Sequence, residues 1–397
     1  MNACNLAYHS MKDDMVDIIV NIHHKWCQPN YSKDLAKRVE QAGIFSKVCY
    51  RKDDPMTVHQ YLRDWTQGRT PRTSFWEAVK SNVADTISNG LSQKDEFHRL
   101  ATNIVGFENL DVDTYDRFLA QRNDNFVNAF YHHTKEKYSA KWYVLDEGTG
   151  AYTRMNIAGE GTMADGYYLY EPALFYKPEI QTKYEFLRIP PLNPADKAFI
   201  QKMNEIFAYQ PSNTIDFHDA VILFTSPSDP LPKYLEHPNI AKKIIFHNAY
   251  KKHKKKAEEF ETREKIFRRL ISHFHDRTVW VKFHPSVNYD VIHQYDAYSN
   301  VKVIPAMHCP WELFACNHVV EGAIFISEGS SAVYLFDYVT GRTHENYSIQ
   351  LMLLPQFLSI FKQELMPIAN NWEREDSTHR KLPKSEEEFW KLIDALG

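Results

Sequence analysis

Residues 278–285 read TVWVKFHP, a run of β-branched and aromatic residues that ends in a histidine and a proline. Such a run predicts a short buried strand. Two other apolar runs end in a comparable way, with an acidic pair and a glycine in residues 142–148 (WYVLDEG) and with a glycine and two serines in residues 323–331 (AIFISEGSS). In open α/β folds, ligands bind at the carboxyl ends of the strands. These three strand ends are therefore the candidate functional site.

The polar residues at these strand ends suit the transfer of a sugar from a phosphate leaving group. The carboxylates of Asp146 and Glu147 can accept a proton, and the imidazole of His284 can donate one near neutral pH. The hydroxyls of Ser330 and Ser331 can hold a phosphate. Each feature alone is common in turns and helix caps. The prediction therefore depends on their joint occurrence, in this order, at three strand ends.

Predicted strands alternate with helices, which indicates parallel sheets with right-handed crossovers and an α/β fold class. A proline-rich stretch at residues 188–195, RIPPLNPA, indicates an interdomain linker. We therefore expect an N-terminal domain over residues 1–190, a C-terminal domain over residues 191–376 and a C-terminal helix over residues 377–397. The predicted strands are residues 17–22, 45–50, 115–121, 142–145, 220–225, 278–283, 301–304 and 323–327.

Helices are predicted between these strands and at both ends of the chain. Ser32 is expected to cap a helix over residues 33–41, and a helix over residues 2–11 precedes the first strand. Because a doubly wound domain normally opens on a strand, either an opening strand is missing from this sequence or the sheet begins differently, and we favour the first interpretation. The other predicted helices are residues 126–137, 197–207, 257–274, 311–316, 331–338 and 385–396.

The composition is that of a globular protein, with 397 residues, 43% of them hydrophobic and 25% charged. A net charge of −4 argues against a nucleic-acid partner, and no apolar run resembles a signal peptide or a membrane span. The five scattered cysteines predict reduced thiols in a cytoplasmic protein. There is no glycine-rich dinucleotide motif or P-loop, and the aspartates of residues 111–113 lack a ligand set, so no metal is expected.

Together, the motifs LDEG, FHPS and EGSS resemble those of the bacterial sialyltransferases: an acidic pair with glycine, then His-Pro, then a Ser/Thr pair. The pattern is most similar to glycosyltransferase family fifty-two, the lipooligosaccharide α-2,3-sialyltransferase family, and capsular polysialyltransferases share the same motifs. Residues 115–127 (YDRFLAQRNDNFV) and residues 221–229 (VILFTSPSD) add to the resemblance, which runs from about residue 15 to about residue 340. A glutamate at the second acidic position is less usual in this family.

This resemblance implies a GT-B fold, in which two Rossmann-like, doubly wound domains face a central cleft. The N-terminal domain would bind a glycan acceptor, and the C-terminal domain would bind the donor, CMP-sialic acid. Asp146 is then the expected general base of an inverting transfer, and Glu147 orients that base or the acceptor. His284 would protonate or hydrogen-bond the departing phosphate.

Donor binding is expected around the two motifs of the C-terminal domain. Pro285 would fix the turn that presents His284. Since the leaving group is a monophosphate, no divalent metal and no separate cofactor is implied. The residues expected to bind the donor are Ser226, Pro285, Glu328, Gly329, Ser330 and Ser331.

Other interpretations stay open. The enzyme could transfer another CMP-activated nonulosonic acid or Kdo, or it could polymerise sialic acid. In a different class, it could be a UDP-sugar epimerase, which also uses carboxylates and histidine in a cleft. It could also be a carbohydrate-binding protein without activity.

A basic run at residues 250–256, YKKHKKK, begins a predicted helix. It is either a solvated helical face or a surface that contacts the anionic inner membrane, where a lipid-linked acceptor would be found. The predicted location is therefore the cytoplasm, with peripheral contact to the inner membrane as one interpretation. A homodimer is left open.

Overall fold

The computed structural model divides into two compact units. The first comprises Met1–Pro190 and Gln201–Tyr209, and the second comprises Pro191–Ile200 and Gln210–Gly397. Both contain parallel sheets with helices between their strands, so the predicted α/β class is confirmed. The residues described are 1–20, 31–52, 74–88, 93–121, 125–135, 137–152, 164–175, 183–225, 247–284, 293–304, 309–342, 345–357 and 365–397.

The described part of the first unit contains two sheets. One has four parallel strands in chain order, and the other has three, of which the last is antiparallel. The smaller sheet consists of β1 (Asp17–Val20), β2 (Lys47–Arg51) and β3 (Ile104–Val105). The larger consists of β4 (Arg117–Ala120), β5 (Lys141–Leu145), β6 (Gly166–Leu169) and β7 (Glu185–Arg188).

The described residues of the second unit form one sheet of six parallel strands in the order β10-β9-β8-β11-β12-β13. Counted along the chain within this unit, the order is 3-2-1-4-5-6, that of a Rossmann fold. The strand order reverses between β8 and β11, which is where such folds bind ligands. The strands are β8 (Val221–Phe224), β9 (Val279–Lys282), β10 (Val301–Val303), β11 (Ile324–Ser327), β12 (Tyr347–Gln350) and β13 (Arg380–Lys381).

Helices connect these strands. In the first unit they are α1 (Asn2–Ser10), α2 (Tyr31–Ala42), α3 (Phe75–Ser88), α4 (Gln93–Ala101) and α5 (Asn125–Lys135). Helix α6 (Lys197–Ile206) follows the proline-rich stretch. Those after it are α7 (His247–His273), α8 (Trp311–Cys316), α9 (Ser331–Tyr334), α10 (Phe336–Thr340), α11 (Met366–Glu375) and α12 (Glu386–Leu396).

The central strands of the second unit are almost continuously apolar because both faces of the sheet are buried. On one face, the valines and isoleucines of the strands pack against Phe267 and Leu270 of α7 and against Phe389 and Ile393 of α12, all fully buried. The opposite face is aromatic, with Trp311 of α8 between neighbouring phenylalanines. Burial of each such side chain contributes about 1.5–3 kcal/mol to folding, so the strand ends are held on a rigid core.

Two helices differ from the sequence predictions, and one helix confirms them. Ser32 does not cap a helix, because α2 already begins at Tyr31 and Ser32 is buried within it. The helix predicted over residues 331–338 is two short helices, α9 and α10. The capped C-terminal helix is confirmed, since the Ser385 hydroxyl accepts a hydrogen bond from the Glu388 amide at 3.1 Å.

Helices long and apolar enough to cross a bilayer are absent from the part of the chain that the structure describes.

Candidate active site

Three strands of the second unit end side by side at the point where the strand order reverses. Phe224 of β8 lies in register with Lys282 of β9 on one side and with Ser327 of β11 on the other. Adjacent strands lie about 4.8 Å apart. The segments that follow this row therefore emerge from the sheet as close neighbours, including His284 and the turn that begins at Ser327.

His284 lies two residues beyond this row and is partly buried. Its amide donates a hydrogen bond to the hydroxyl of Thr225 at 2.9 Å, and the amide of Thr225 donates to the carbonyl of Lys282 at 3.0 Å. Thr225 thus joins the ends of β8 and β9 and fixes where the backbone of His284 leaves the sheet. Sequence reasoning placed Thr225 in the strand and missed this role. Pro285 and Ser226 lie outside the described residues.

The turn after β11 is organised by Ser327, one residue before the EGSS motif. The Ser327 hydroxyl accepts hydrogen bonds from the amides of Gly329 at 3.1 Å and Ser330 at 3.0 Å, and it donates to the side-chain oxygen of Gln350. Gly329 has a φ of 134°, a conformation that favours glycine. The turn is therefore specified by a buried serine and by a glycine with a required backbone conformation.

Ser330 and Ser331 lie at the start of α9, both partly buried. The Ser330 hydroxyl accepts a hydrogen bond from the amide of Ala332 at 3.3 Å, and the Ser330 carbonyl accepts one from the side chain of Gln350 at 3.4 Å. Ser330 therefore caps this helix. Helix capping is the simpler of the two roles that the sequence suggests for it, and phosphate binding is the other. Its hydroxyl hydrogen remains available for a ligand oxygen.

Glu328 is only 7% exposed and lies against α7. Its carboxylate is 3.9 Å from Nε of Arg263, which is fully buried and also lies 3.4 Å from the carboxylate of Glu264. The guanidinium stacks on Phe260, with 4.7 Å between its carbon and the ring centroid. The hydroxyl of Tyr295 donates to Glu264 at 2.6 Å. Sequence reasoning missed Arg263, because an arginine in a charged helix has no signal of burial.

In the first unit, Asp146 directly follows β5 and is only 1% exposed. One carboxylate oxygen accepts a hydrogen bond from the amide of Gly148 at 2.8 Å. The other accepts from the hydroxyl of Tyr152 at 2.6 Å and from the amide of Tyr170 at 3.2 Å. Burial, together with the nearby charge of Asp146, raises the pKa of Tyr152 well above its usual value, so this hydroxyl remains a donor.

Glu147, the next residue, is exposed. Two amide side chains lie beside it, because Asn2 and Gln121 donate to the backbone carbonyl of Asp146 at 2.5 Å and 3.4 Å. The exposed edge of this sheet therefore presents one carboxylate with carboxamide groups nearby. Carboxylates and amides are the groups that bind sugar hydroxyls.

Two further charged residues lie at the carboxyl end of the same sheet. Glu171 follows β6 and is buried, and Arg188 ends β7 with an exposed guanidinium. One guanidinium nitrogen of Arg188 donates to both carboxylate oxygens of Glu171, at 2.8 and 2.7 Å. Sequence reasoning missed both residues because it predicted neither β6 nor β7.

Lys282, the last residue of β9, extends toward the aromatic face of the second sheet. Its ammonium is 5.9 Å from the ring centroid of Phe224. Burial lowers the pKa of Lys282, while the negative charge of Glu312 in the first turn of α8 acts in the opposite direction. Burial likewise raises the pKa of Glu312. Sequence reasoning gave Lys282 no role.

Among the described residues, no group of three or more histidine, cysteine, aspartate or glutamate side chains is placed to hold a metal ion. Metal independence remains a prediction.

Comparison with known proteins found no match to a protein-family model or to a curated protein sequence. Among solved structures, the chain is similar to the Methanocaldococcus jannaschii UDP-GlcNAc 2-epimerase, in a crystal structure with UDP-GlcNAc and UDP. The TM-score is 0.41 and the sequence identity is 10%, over 96% of this chain and 92% of that chain. No substrate and no residue role is transferred from that enzyme.

Proposed function

We propose that this protein is an inverting sialyltransferase that moves sialic acid from CMP-sialic acid to a hydroxyl of a glycan acceptor, with a terminal galactose of lipooligosaccharide or capsule as the expected acceptor. The observation that carries the proposal is the row of Phe224, Lys282 and Ser327. It brings the segments containing His284 and Ser330 together where a Rossmann-type sheet binds its ligand. The resemblance of the three motifs to those of bacterial sialyltransferases supports the choice of donor.

In this proposal, the second unit binds the nucleotide and stabilises its phosphate as it leaves. The bond between the anomeric carbon and the phosphate oxygen breaks, and CMP leaves with the bonding electron pair. His284 donates a proton or a hydrogen bond to the phosphate as charge develops on it. Ser330 and Ser331 hold the phosphate oxygens through their hydroxyl hydrogens. This arrangement uses no metal, because a monophosphate leaving group needs no cation to bridge two phosphates.

The first unit is assigned the acceptor and its activation. A new bond forms between the acceptor oxygen and the anomeric carbon, and a carboxylate takes the hydroxyl proton. Sequence reasoning chose Asp146 as this base. The geometry favours Glu147, because Glu147 is exposed whereas Asp146 is buried and both of its oxygens accept hydrogen bonds from the protein. Asp146 is then the residue that shapes the turn from which Glu147 extends.

Contact with an anionic membrane is part of the proposal for the basic run. Lys251, Lys254 and Lys255 are exposed in the first turns of α7. Each basic residue near an anionic surface contributes about 1 kcal/mol. Sedimentation with anionic vesicles that weakens as salt is added would support this contact, and binding that does not depend on salt would contradict it.

The function is tested by incubating the protein separately with CMP-sialic acid, CMP-Kdo and UDP-GlcNAc, each with and without a galactose-terminated oligosaccharide. We expect CMP release from CMP-sialic acid and a sialylated product whose configuration is inverted, in the presence of EDTA as well as in its absence. His284→Ala is the matched control and should lose most of the release.

Three results would contradict the proposal. Interconversion of UDP-GlcNAc with its 2-epimer would identify an epimerase. Transfer only from CMP-Kdo would change the donor. Activity that EDTA abolishes and Mg²⁺ restores would exclude the metal-independent mechanism.

A further inference from the structure

Lys282 is partly buried and carries a charge on a largely aromatic face of the second sheet. Paired residues of parallel strands point to the same face of a sheet. Lys282 therefore shares its face with Phe224 and Ser327, the other members of its row. Trp311 of α8 packs against Phe224 on this face, with 5.1 Å between the ring centroids. Lysine is among the residues least often buried without a partner.

The charge of this lysine is incompletely compensated. Glu312 lies close enough to affect its ionisation, yet no acceptor within the described residues forms a hydrogen bond or an ion pair with the ammonium. An ammonium has three donors and a strong preference for water or an oxygen ligand. Partial removal from water lowers the pKa of Lys282. The site is therefore one that an incoming anion would stabilise.

The side chain extends toward the point where the strand order reverses. It starts on β9 and reaches over Phe224, which belongs to the adjacent strand β8. The turn organised by Ser327 begins one strand further on, at about 10 Å from β9 by the spacing of two strand intervals. A phosphate bound here would accept hydrogen bonds from the ammonium and from the hydroxyls that follow this turn, each at about 3 Å.

We propose that Lys282 binds the phosphate of a nucleotide at this edge of the second sheet, opposite the hydroxyls of Ser330 and Ser331. The location of the phosphate rests on the proposed function, but the nature of the base and of the sugar does not enter the argument. The ammonium supplies the positive charge that, in a metal-independent site, must balance the phosphate. Glu312 places a negative charge near the ammonium but forms no ion pair with it in the described part of the chain.

The proposal is tested by measuring the binding of CMP, UMP, UDP and uncharged cytidine to wild-type protein and to Lys282→Met, by titration calorimetry. We expect Lys282→Met to weaken the binding of the phosphate-containing ligand about 10- to 100-fold, as for a hydrogen bond to a charged group, and to leave cytidine binding unchanged. Lys282→Arg should keep most of the affinity, since it keeps the charge.

Two controls separate binding from folding. Lys302→Met removes a lysine of the same sheet whose ammonium also lies over an aromatic ring, 5.3 Å from the centroid of Trp280, and it should change no affinity. The double variant Lys282→Met with Glu312→Gln leaves no uncompensated carboxylate. It should fold like the wild type and show the same loss of phosphate binding.

Unchanged nucleotide affinity in Lys282→Met, or an equal loss for cytidine, would overturn the proposal. Failure of the proposed function gives a different result. If the wild type binds UDP and not CMP, the sialyltransferase assignment fails, and Lys282 is then judged by the UDP data alone. A wild-type protein that binds no nucleotide overturns both.

Discussion

The turns that follow β5 and β11 have the same local design. Asp146-Glu147-Gly148 in the first unit and Ser327-Glu328-Gly329 in the second both begin with a buried polar residue. In each, its side-chain oxygen accepts a hydrogen bond from the amide of the glycine two residues later, at 2.8 and 3.1 Å. Both glycines have positive φ, 114° and 134°. The two turns nevertheless place their glutamates in opposite environments.

Glu147 is exposed, whereas Glu328 is buried beside Arg263. The difference lies in the neighbouring elements and not in the turn. Helix α7 brings a buried guanidinium to the second turn. At the first turn, the side chains of Asn2 and Gln121 contact the backbone and leave the glutamate at the surface. The same three-residue design thus presents an exposed carboxylate in one place and a buried one in the other.

The largest expected effect comes from the acidic pair. Glu147→Gln should lower turnover about 10²- to 10⁴-fold, the usual contribution of a general base, with little change in the free energy of unfolding. Asp146→Asn should instead destabilise the first unit by about 2–3 kcal/mol, because its hydrogen bonds are made to a charged acceptor. Turnover and urea unfolding of both variants provide the test. If Asp146→Asn is inactive and fully stable while Glu147→Gln is active, the two roles are reversed.

The next largest effect is expected from the buried ion pair between Arg263 and Glu328 at the second turn. Arg263→Met should lower the free energy of unfolding by about 3–4 kcal/mol, because it removes the buried cation beside the carboxylates of Glu264 and Glu328. The matched control is Arg268→Met on the same helix. Its side chain is 58% exposed, and its pair with Glu264 should contribute less than about 1 kcal/mol. Denaturant unfolding distinguishes the two, and similar losses would contradict the buried-pair account.

Ser327→Ala should have a smaller effect on stability, about 1–3 kcal/mol, since two turn amides lose their acceptor. Because these amides position Ser330, the affinity for CMP should fall as well. Ser348→Ala, in the neighbouring strand β12, is the control. Its hydroxyl is also buried but accepts a bond from the side chain of Asn346 at 3.0 Å, so its loss should affect stability and not CMP affinity. Equal CMP affinity in the two variants would remove Ser327 from the site.

The smallest expected difference is in stability, between alanine variants of the turn glycines and of a glycine elsewhere. Gly148→Ala and Gly329→Ala should each cost on the order of 1–3 kcal/mol, because alanine is strained at their φ values. Gly43→Ala should cost less. Gly43 has a φ of 64°, in the left-handed region that alanine tolerates better, and no atom lies within 4 Å of the added carbon. Thermal unfolding compares the three variants. An equal cost at all three positions would mean that the two turns do not depend on their backbone conformation.

The sequence predicted the existence of the central strands well. VILF, VWVK and IFIS are short, almost uninterrupted apolar runs, and a strand covered on both faces requires such a run. Strands with weaker patterns were missed. Gly166 opens β6, β7 has only two apolar residues between Glu185 and Arg188, and β13 has only two residues, Arg380 and Lys381. Missing β6 and β7 also concealed Glu171 and Arg188, since a residue cannot be placed at the end of an unpredicted strand.

By itself, the sequence determined which residues end the principal strands, and therefore that Asp146, His284 and Ser330 lie near carboxyl edges of parallel sheets. This was possible because strand composition and turn residues are local signals. Only the tertiary structure decided which strands are neighbours, so the row of Phe224, Lys282 and Ser327 could not be anticipated. The tertiary structure also decided which charged side chains are buried. Whether a carboxylate or an ammonium is exposed depends on the helices that pack around it, and these are contributed by residues distant in the chain.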